Sequence, residues 1–270
     1  MEIVKCINCG LEVSAKFCSH CGQPNPPKKI TLANMWVDFQ SRIYGFDGMF
    51  PRTLLDLTIR PGKASLAFIN GNRVKYYGPV GYFFLMITLL YLISSILDVP
   101  LIELLKSANK ATNFNTTPKA GSGQEKFAEI ILKYITDNLK LVSFLFIPVQ
   151  AFCSRFVFFR KSKKNYLQHF VLPFYVQGHI YWLSILSVTL YSVFGFFLSG
   201  GISILLSTGY LGYAYADFFS YQSKVKVFLK GIGVYLFSQV LLMVLFSIVL
   251  LILLKTNPAI YEMLKPSNNK

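Results

Sequence analysis

The sequence is poor in charge. Only 14% of its 270 residues are Asp, Glu, Lys or Arg, where a soluble domain carries about 25%. The shortage is concentrated: residues 170–216 hold no charged side chain at all. A soluble core, including a DNA-binding one, has no use for so long an uncharged run, so the chain reads as a membrane protein. Acidic residues are scarcest, twelve against 27 Lys and Arg, for a formal net charge of +15. In a soluble protein that excess would point to nucleic acid. In a membrane protein it reports topology and contact with anionic head groups. No Asp or Glu falls at mid-depth of an expected span, which argues against proton-coupled transport. No ring of charges or carbonyls suggests an ion filter. A serine nucleophile elbow and a phosphate-cradling glycine loop are missing too. The first 30 residues lack the apolar core of a secretory signal, so the amino end is expected to stay in the cytoplasm.

What is abundant fits the same reading. The mean hydropathy is +0.47, and 25 Phe and 16 Tyr suit a lipid-facing protein with aromatic interface belts. The exception is the amino end, where four of the five cysteines fall between Cys6 and Cys21. Cys6-x-x-Cys9-Gly10 and Cys18-x-x-Cys21-Gly22 repeat one device. In a zinc knuckle the chain turns back after the first Cys, backbone N–H groups point at the thiolate, and Gly permits a left-handed backbone. A reducing cytoplasm favours metal ligation over disulfides. A redox dithiol pair or an iron–sulfur site are the competing readings, but a redox CxxC sits on a βαβ scaffold that this segment lacks. Cys6, Cys9, Cys18 and Cys21 are therefore expected to hold one structural Zn ion in a closed zinc ribbon. Val13 and Phe17 would cover it, and His20 would be exposed. Lys5 and Lys16 against Glu2 and Glu12 give the ribbon no grip on nucleic acid.

The expected fold class is an all-α membrane protein of about five transmembrane helices with this small ribbon in front. Residues 1–23 form the ribbon and 24–30 a stiff proline linker. Residues 31–77 read as interfacial amphipathic helices. The first begins at "TLANMWVDFQ"; the second, "TLLDLTIRPG", is capped by Thr53 and stopped at Pro61-Gly62; a third turn stops at Gly71. The membrane domain covers 78–254, with spans at about 78–97, 139–159, 170–198, 201–219 and 232–254, followed by a polar tail, 255–270. "GFFLSGG" is the hairpin between spans three and four. Residues 98–138 read as a polar loop with a disordered low-complexity centre and an amphipathic lead-in to the second span.

Five spans put the two ends on opposite sides. With the amino end inside, the inside segments carry ten Lys and Arg in 1–77, five in 155–168 and three in 217–230. The outside segments carry six in 98–140 and three from 255 onward. The asymmetry places the amino end in the cytoplasm and the carboxyl end outside. It agrees with the reducing compartment that the cysteines call for.

From the ribbon through the first span the chain resembles an uncharacterised bacterial domain-of-unknown-function family that joins a double-CxxCG ribbon to a multi-pass membrane domain. The residues that carry the resemblance are the four cysteines with Gly22-Gln23, then "TLLDLTIRPG" and "FINGNRVKYYGPVGYFF", and later "KKNYLQHFVLPFYVQGH". The core with "YLGYAYADFF" is also loosely similar to Yip-type membrane proteins. The resemblance implies topology, a ribbon and a bacterial inner membrane. It implies no reaction.

Several constellations are open to two readings. Arg60, Lys63, Arg73 and Lys75 could grip an anionic lipid head group or other anionic ligand, or be an ordinary positive flank with helix-stopping turns. His169 and His179 sit about 15 Å apart along a helix, so they cannot share one metal ion unaided. His169 reads as interfacial. His179, near Gln177 and Tyr181 at membrane depth, is either a functional polar site or an interhelical hydrogen bond. Gln150, Cys153, Ser154, Gln177 and Gln239 form a polar seam, read as interhelical glue rather than a pore. Tyr210, Tyr213 and Tyr215 read as an aromatic belt. The leading functional expectation is a non-enzymatic adaptor or assembly factor, its ribbon recruiting a cytoplasmic protein partner and its bundle anchored in the bilayer. The alternative is a lipid or small-solute handling protein, transporter or enzyme, with a site at the cytoplasmic side around Arg73, His169, Gln177 and His179.

Overall fold

The computed structural model describes residues 4–23, 48–112, 123–198, 200–220 and 223–256. The proline linker, the helix expected after Thr31, the centre of the low-complexity loop and most of the tail lie outside the described residues. The chain divides into two compact units, Met1–Pro51 and Arg52–Lys270.

In the first unit, β1 (Val4–Lys5) pairs antiparallel with β2 (Glu12–Val13), Val4 opposite Val13 and Lys5 opposite Glu12. Two tight turns flank this ladder. Cys6 N–H donates to the Leu11 carbonyl and Gly10 N–H to the Cys6 carbonyl. The second turn repeats both bonds, Cys18 N–H to Gln23 and Gly22 N–H to Cys18. Gly10 and Gly22 take φ of 76° and 72°, which glycine adopts without the Cβ clash other residues suffer. Val13 is buried with Cys6 and Cys18. Phe17, expected to share that role, is 60% exposed. It precedes the inward-facing Cys18 in extended chain, and successive side chains there point to opposite faces.

The second unit is helical. Helix α1 (Met49–Ile59) breaks at Arg60, and α2 (Pro61–Ile69) restarts with Pro61 in its first turn, where a missing N–H costs nothing. Pro61-Gly62 thus opens a helix as well as closing one. Thr53 lies inside α1 and, instead of capping it, accepts the Tyr77 N–H on its hydroxyl at 2.8 Å. Helix α3 (Pro79–Ile96) follows, then α4 (Leu101–Thr112) and α5 (Gly123–Asp137), two helices flanking the centre of the expected loop. Helix α6 (Leu139–Phe152) passes into a π-helical turn, Cys153–Phe158. Helix α7 (Gln168–Phe194) opens with a reciprocal cap in which Asn165 and Gln168 each accept the other's N–H. It ends at left-handed Gly195, then α8 (Gly200–Phe218) and α9 (Lys224–Thr256) complete the fold.

Among the described residues, four helices are long and apolar enough to cross a membrane: Pro79–Ile96, Leu139–Phe158, Gln168–Phe194 and Lys224–Ile248. The chain is an all-helical membrane protein with a small cysteine module. The remaining expected span is helix α8. Its glycines, serines and tyrosines keep it below the apolarity of the other four. It nevertheless runs back along α7. Near its start, Leu198 N–H donates to Ser187 Oγ near the far end of α7. Just beyond its end, the Phe219 ring lies 5.7 Å from His169 at the beginning of α7. Nineteen residues of helix cover about 28 Å, enough for the hydrocarbon core.

Basic residues gather at the end where α7 begins. Lys164 lies over Phe218 and Lys230 over Phe159, while Phe159 stacks on Phe219 at 4.2 Å. Lys224, Lys226 and Lys230, which fall between the expected spans 201–219 and 232–254, lie in the first two turns of α9. Helices α1 and α2 pack on this half of the bundle. Tyr210 and Tyr213 of α8 donate to the carbonyls of Leu57 and Ile59, which the end of α1 leaves without helical partners. Two tyrosines expected in a belt thus serve as helix caps. At the start of α2, Lys63 N–H donates to Asp217 at 2.8 Å. Beside it the two backbones touch: a Cβ on Gly62 would sit 2.2 Å from the Phe218 nitrogen.

Candidate metal centre and polar sites

The two turns bring four sulfurs together. Cys6 and Cys21 Sγ lie 3.5 Å apart, Cys9 and Cys18 Sγ 3.6 Å, and all four lie within 4.8 Å of one another. These separations are far beyond the roughly 2.05 Å of a disulfide. They match the edge of a tetrahedron, about 3.8 Å when metal–sulfur bonds are about 2.3 Å. Four cysteines close to one another can therefore hold a metal ion, and once all four bind, no position is left for substrate. The thiols already differ. Hydrogen bonds from Asn8 and the Gln23 backbone draw Cys21 down to about 6. Cys9 keeps a hydrogen bond to the Leu11 backbone that lowers it, yet desolvation and the three neighbouring sulfurs push it up to about 12. Four thiolates this close repel one another without a cation, so loading releases protons. His20 is exposed and outside the cluster.

In the helical unit the basic segment around Arg60 is organised by an acid. Asp56, buried in α1, accepts two hydrogen bonds from Arg60 on one oxygen, at 3.0 and 2.8 Å. Its other oxygen accepts the Tyr76 hydroxyl at 2.7 Å, with Lys75 Nζ at 3.7 Å. Burial raises the Asp56 carboxyl, but Tyr76, Arg60 and Lys75 outweigh it and hold the group below the usual carboxylate range. Arg60 and Lys75 thus share a protein carboxylate. Arg73 is elsewhere, over the Phe68 ring and facing Asn165, Leu167 and Gln168 at the start of α7. The Lys63 side chain is exposed. The four cations form no single cluster.

The histidines are separate as well. His179 bonds Tyr82 Oη through Nδ1 at 3.0 Å and Thr58 Oγ1 through Nε2 at 3.2 Å, with the Tyr210 ring beside it. It ties α1, α3 and α8 to α7. Tyr82 is fully buried. His169 bonds Ser154 Oγ at 2.8 Å, and its buried Nε2 has no partner. Gln150, one turn before Ser154, is buried with its amide unpaired. Gln177 and Gln239 face a common cavity of about 280 Å³ between α6, α7, α8 and α9. Sequence reasoning missed Asp56 and Thr58; of these only Asp56, four residues before Arg60, carries a local signal.

Residues 47–91 match the family described as "Protein of unknown function (DUF3667)". No curated protein and no solved structure matches the chain. The match to DUF3667 spans α1, α2 and most of α3. It therefore contains Asp56, Arg60, Tyr76 and Tyr82, along with both sequence blocks "TLLDLTIRPG" and "FINGNRVKYYGPVGYFF". The shared stretch coincides with the layer that joins α1 and α2 to the bundle, not with the cysteine module.

Proposed function

We propose that this chain is a bacterial inner-membrane adaptor or assembly factor, and not an enzyme, that holds a structural zinc ribbon in the cytoplasm. The observation that carries the reading is the outward face of the cysteine module. Its metal cluster is closed to chemistry, while Val4, Ile7, Leu11 and Phe17 stand 46%, 72%, 48% and 60% exposed. Four large apolar side chains left exposed on so small a module favour contact with another protein. Four thiolates in tetrahedral array favour zinc. The count of Lys and Arg supports an amino end in the cytoplasm and a carboxyl end outside. The basic end of the bundle then meets anionic lipid head groups, Lys63 and Arg73 among them, with no role for nucleic acid. The test is cross-linked co-purification of the full chain against Ile7→Glu and Phe17→Glu, with zinc measured in each. The reading requires about one zinc per chain in all three and loss of the same specific partners from both variants. Partners retained by both variants at full zinc content refute it.

A second reading, the handling of a lipid or small solute by the bundle, is favoured by one observation: the polar cavity between α6, α7, α8 and α9.

A further inference from the structure

Four helices contribute polar side chains to that cavity. Ser143 comes from α6, Gln177 from α7, Ser203 and Ser207 from α8, and Tyr235 and Gln239 from α9. Gln177 and Gln239 lie well inside α7 and α9, at a depth where hydrocarbon would surround a lipid-facing group. The Tyr181 hydroxyl is buried beside Ser143 and Gln177. Val142, Phe146, Ile180, Ile204 and Leu242 supply the apolar part of the lining; a packing defect lined by such groups alone would stay dry, whereas the six polar side chains here give water its partners. At about 280 Å³ it has room for roughly nine waters at about 30 Å³ each, or for a ligand smaller than a typical drug.

The lining also selects. It contains no Asp, Glu, Lys or Arg, so an ion would give up its hydration with no counter-charge. An acyl chain would leave two amides and four hydroxyls facing hydrocarbon. Amides and hydroxyls both donate and accept, which suits a neutral molecule dense in hydroxyl groups. We propose that the cavity between α6, α7, α8 and α9 is a hydrated binding chamber for a small uncharged polyol. The proposal rests on the second reading above and gives it a substrate class. The site is not at the basic end where sequence reasoning placed it, and neither histidine lines it.

The test uses the zinc-loaded full chain in nanodiscs, with both membrane faces open to reagent. Ser207→Cys is labelled with hydroxyethyl methanethiosulfonate, a neutral water-soluble thiol reagent. Leu205→Cys is the control on the same helix, at a position 74% exposed on the outside of the bundle. The thiolate is the form that attacks such a reagent, and it forms in water and not in hydrocarbon. Ser207→Cys should react about tenfold faster or more than Leu205→Cys. Erythritol at twice its dissociation constant should slow that labelling about threefold, and sodium chloride at equal osmolality should not. Ser203→Cys, also on the lining, serves if Ser207→Cys does not accumulate. Labelling as slow as at Leu205→Cys shows a dry cavity and overturns both the chamber and the second reading. Fast labelling that erythritol leaves unchanged overturns the polyol assignment while leaving a hydrated cavity for solute handling.

Discussion

At the residue scale, Asp56 governs more of this molecule than any lysine or arginine around it. Its partners come from its own helix, Arg60, and from the segment after α2, Tyr76 and Lys75. The sequence displays the cations as a group, and a group of cations beside a membrane suggests an anionic ligand. Which of them already faces a protein carboxylate is a matter of tertiary approach, and the separation of twenty positions between Asp56 and Tyr76 carries no periodic signal for it. The side chain of Arg60 is 49% exposed and that of Lys75 34%, so solvent screens their share. The buried Tyr76 hydrogen bond carries most of the effect. Asp56 is held below the usual carboxylate range, so its contribution is complete above the unfolded value of about 3.9. It is lost as pH falls through the lower folded value. Asp56→Asn should lower stability at pH 7 by about 1–3 kcal/mol. Thermal unfolding of the purified chain from pH 7 to pH 3 should show the gap between wild type and variant closing only below about pH 4. A gap that stays constant across that range removes Asp56 from the account.

At the scale of elements, the joint between α2 and α8 shows what "RPG" is for. Arg60 turns back to Asp56, Pro61 opens α2, Gly62 lets two backbones touch, and the next N–H reaches Asp217. Gly62→Ala would place a methyl 2.2 Å from the Phe218 nitrogen, with no flexible side chain to yield. We expect a loss of about 1–3 kcal/mol or more, as overpacking brings. Gly209, inside α8 with nothing within 4 Å of an added Cβ, is the contrast. Gly209→Ala should be neutral or stabilise by about 0.5–1 kcal/mol. Paired unfolding curves in detergent decide it, and equal effects from the two changes would refute the close contact. Other elements differ from the sequence reading for reasons of the same kind. Charge ends an apolar run, so Lys224–Lys230 reads as a loop. Lysine is nonetheless a good helix former, and near a membrane surface its ammonium reaches water along its stem. Tyrosines near a membrane read as a belt, and only the fold reveals that Tyr210 and Tyr213 reach the carbonyls ending α1.

At the scale of the whole molecule, what could be read ahead depended on how local the determinant is. The metal centre rests on two CxxCG turns within sixteen residues, and all four sulfurs converge as their spacing requires. The long apolar helices rest on composition alone, and four of them meet the test of length and apolarity. The polar lining of the cavity depends on six side chains from four helices, and nothing in sequence order brings Ser143, Ser203 and Gln239 together. The same contrast sets how stability is divided. Apart from cysteines, the described part of the metal module buries one apolar side chain, Val13. That is far too little to offset the ordering of some twenty residues at about 1–2 kcal/mol each for the backbone, so an ion held by the four sulfurs would bind and fold the module in one event. The helical unit has its own core around Leu172, Val176, Leu211, Tyr215 and Phe219 and needs no ion. Removing the metal with a strong chelator, or substituting Cys9→Ser, should therefore abolish amide protection in residues 4–23. The helical circular dichroism and the protection of α3 and α7 should stay unchanged. Hydrogen exchange read by mass spectrometry separates the two regions in one experiment. If α3 and α7 lost protection along with the cysteine turns, the metal would be stabilising the bundle as well, and two independently stable units would be the wrong description.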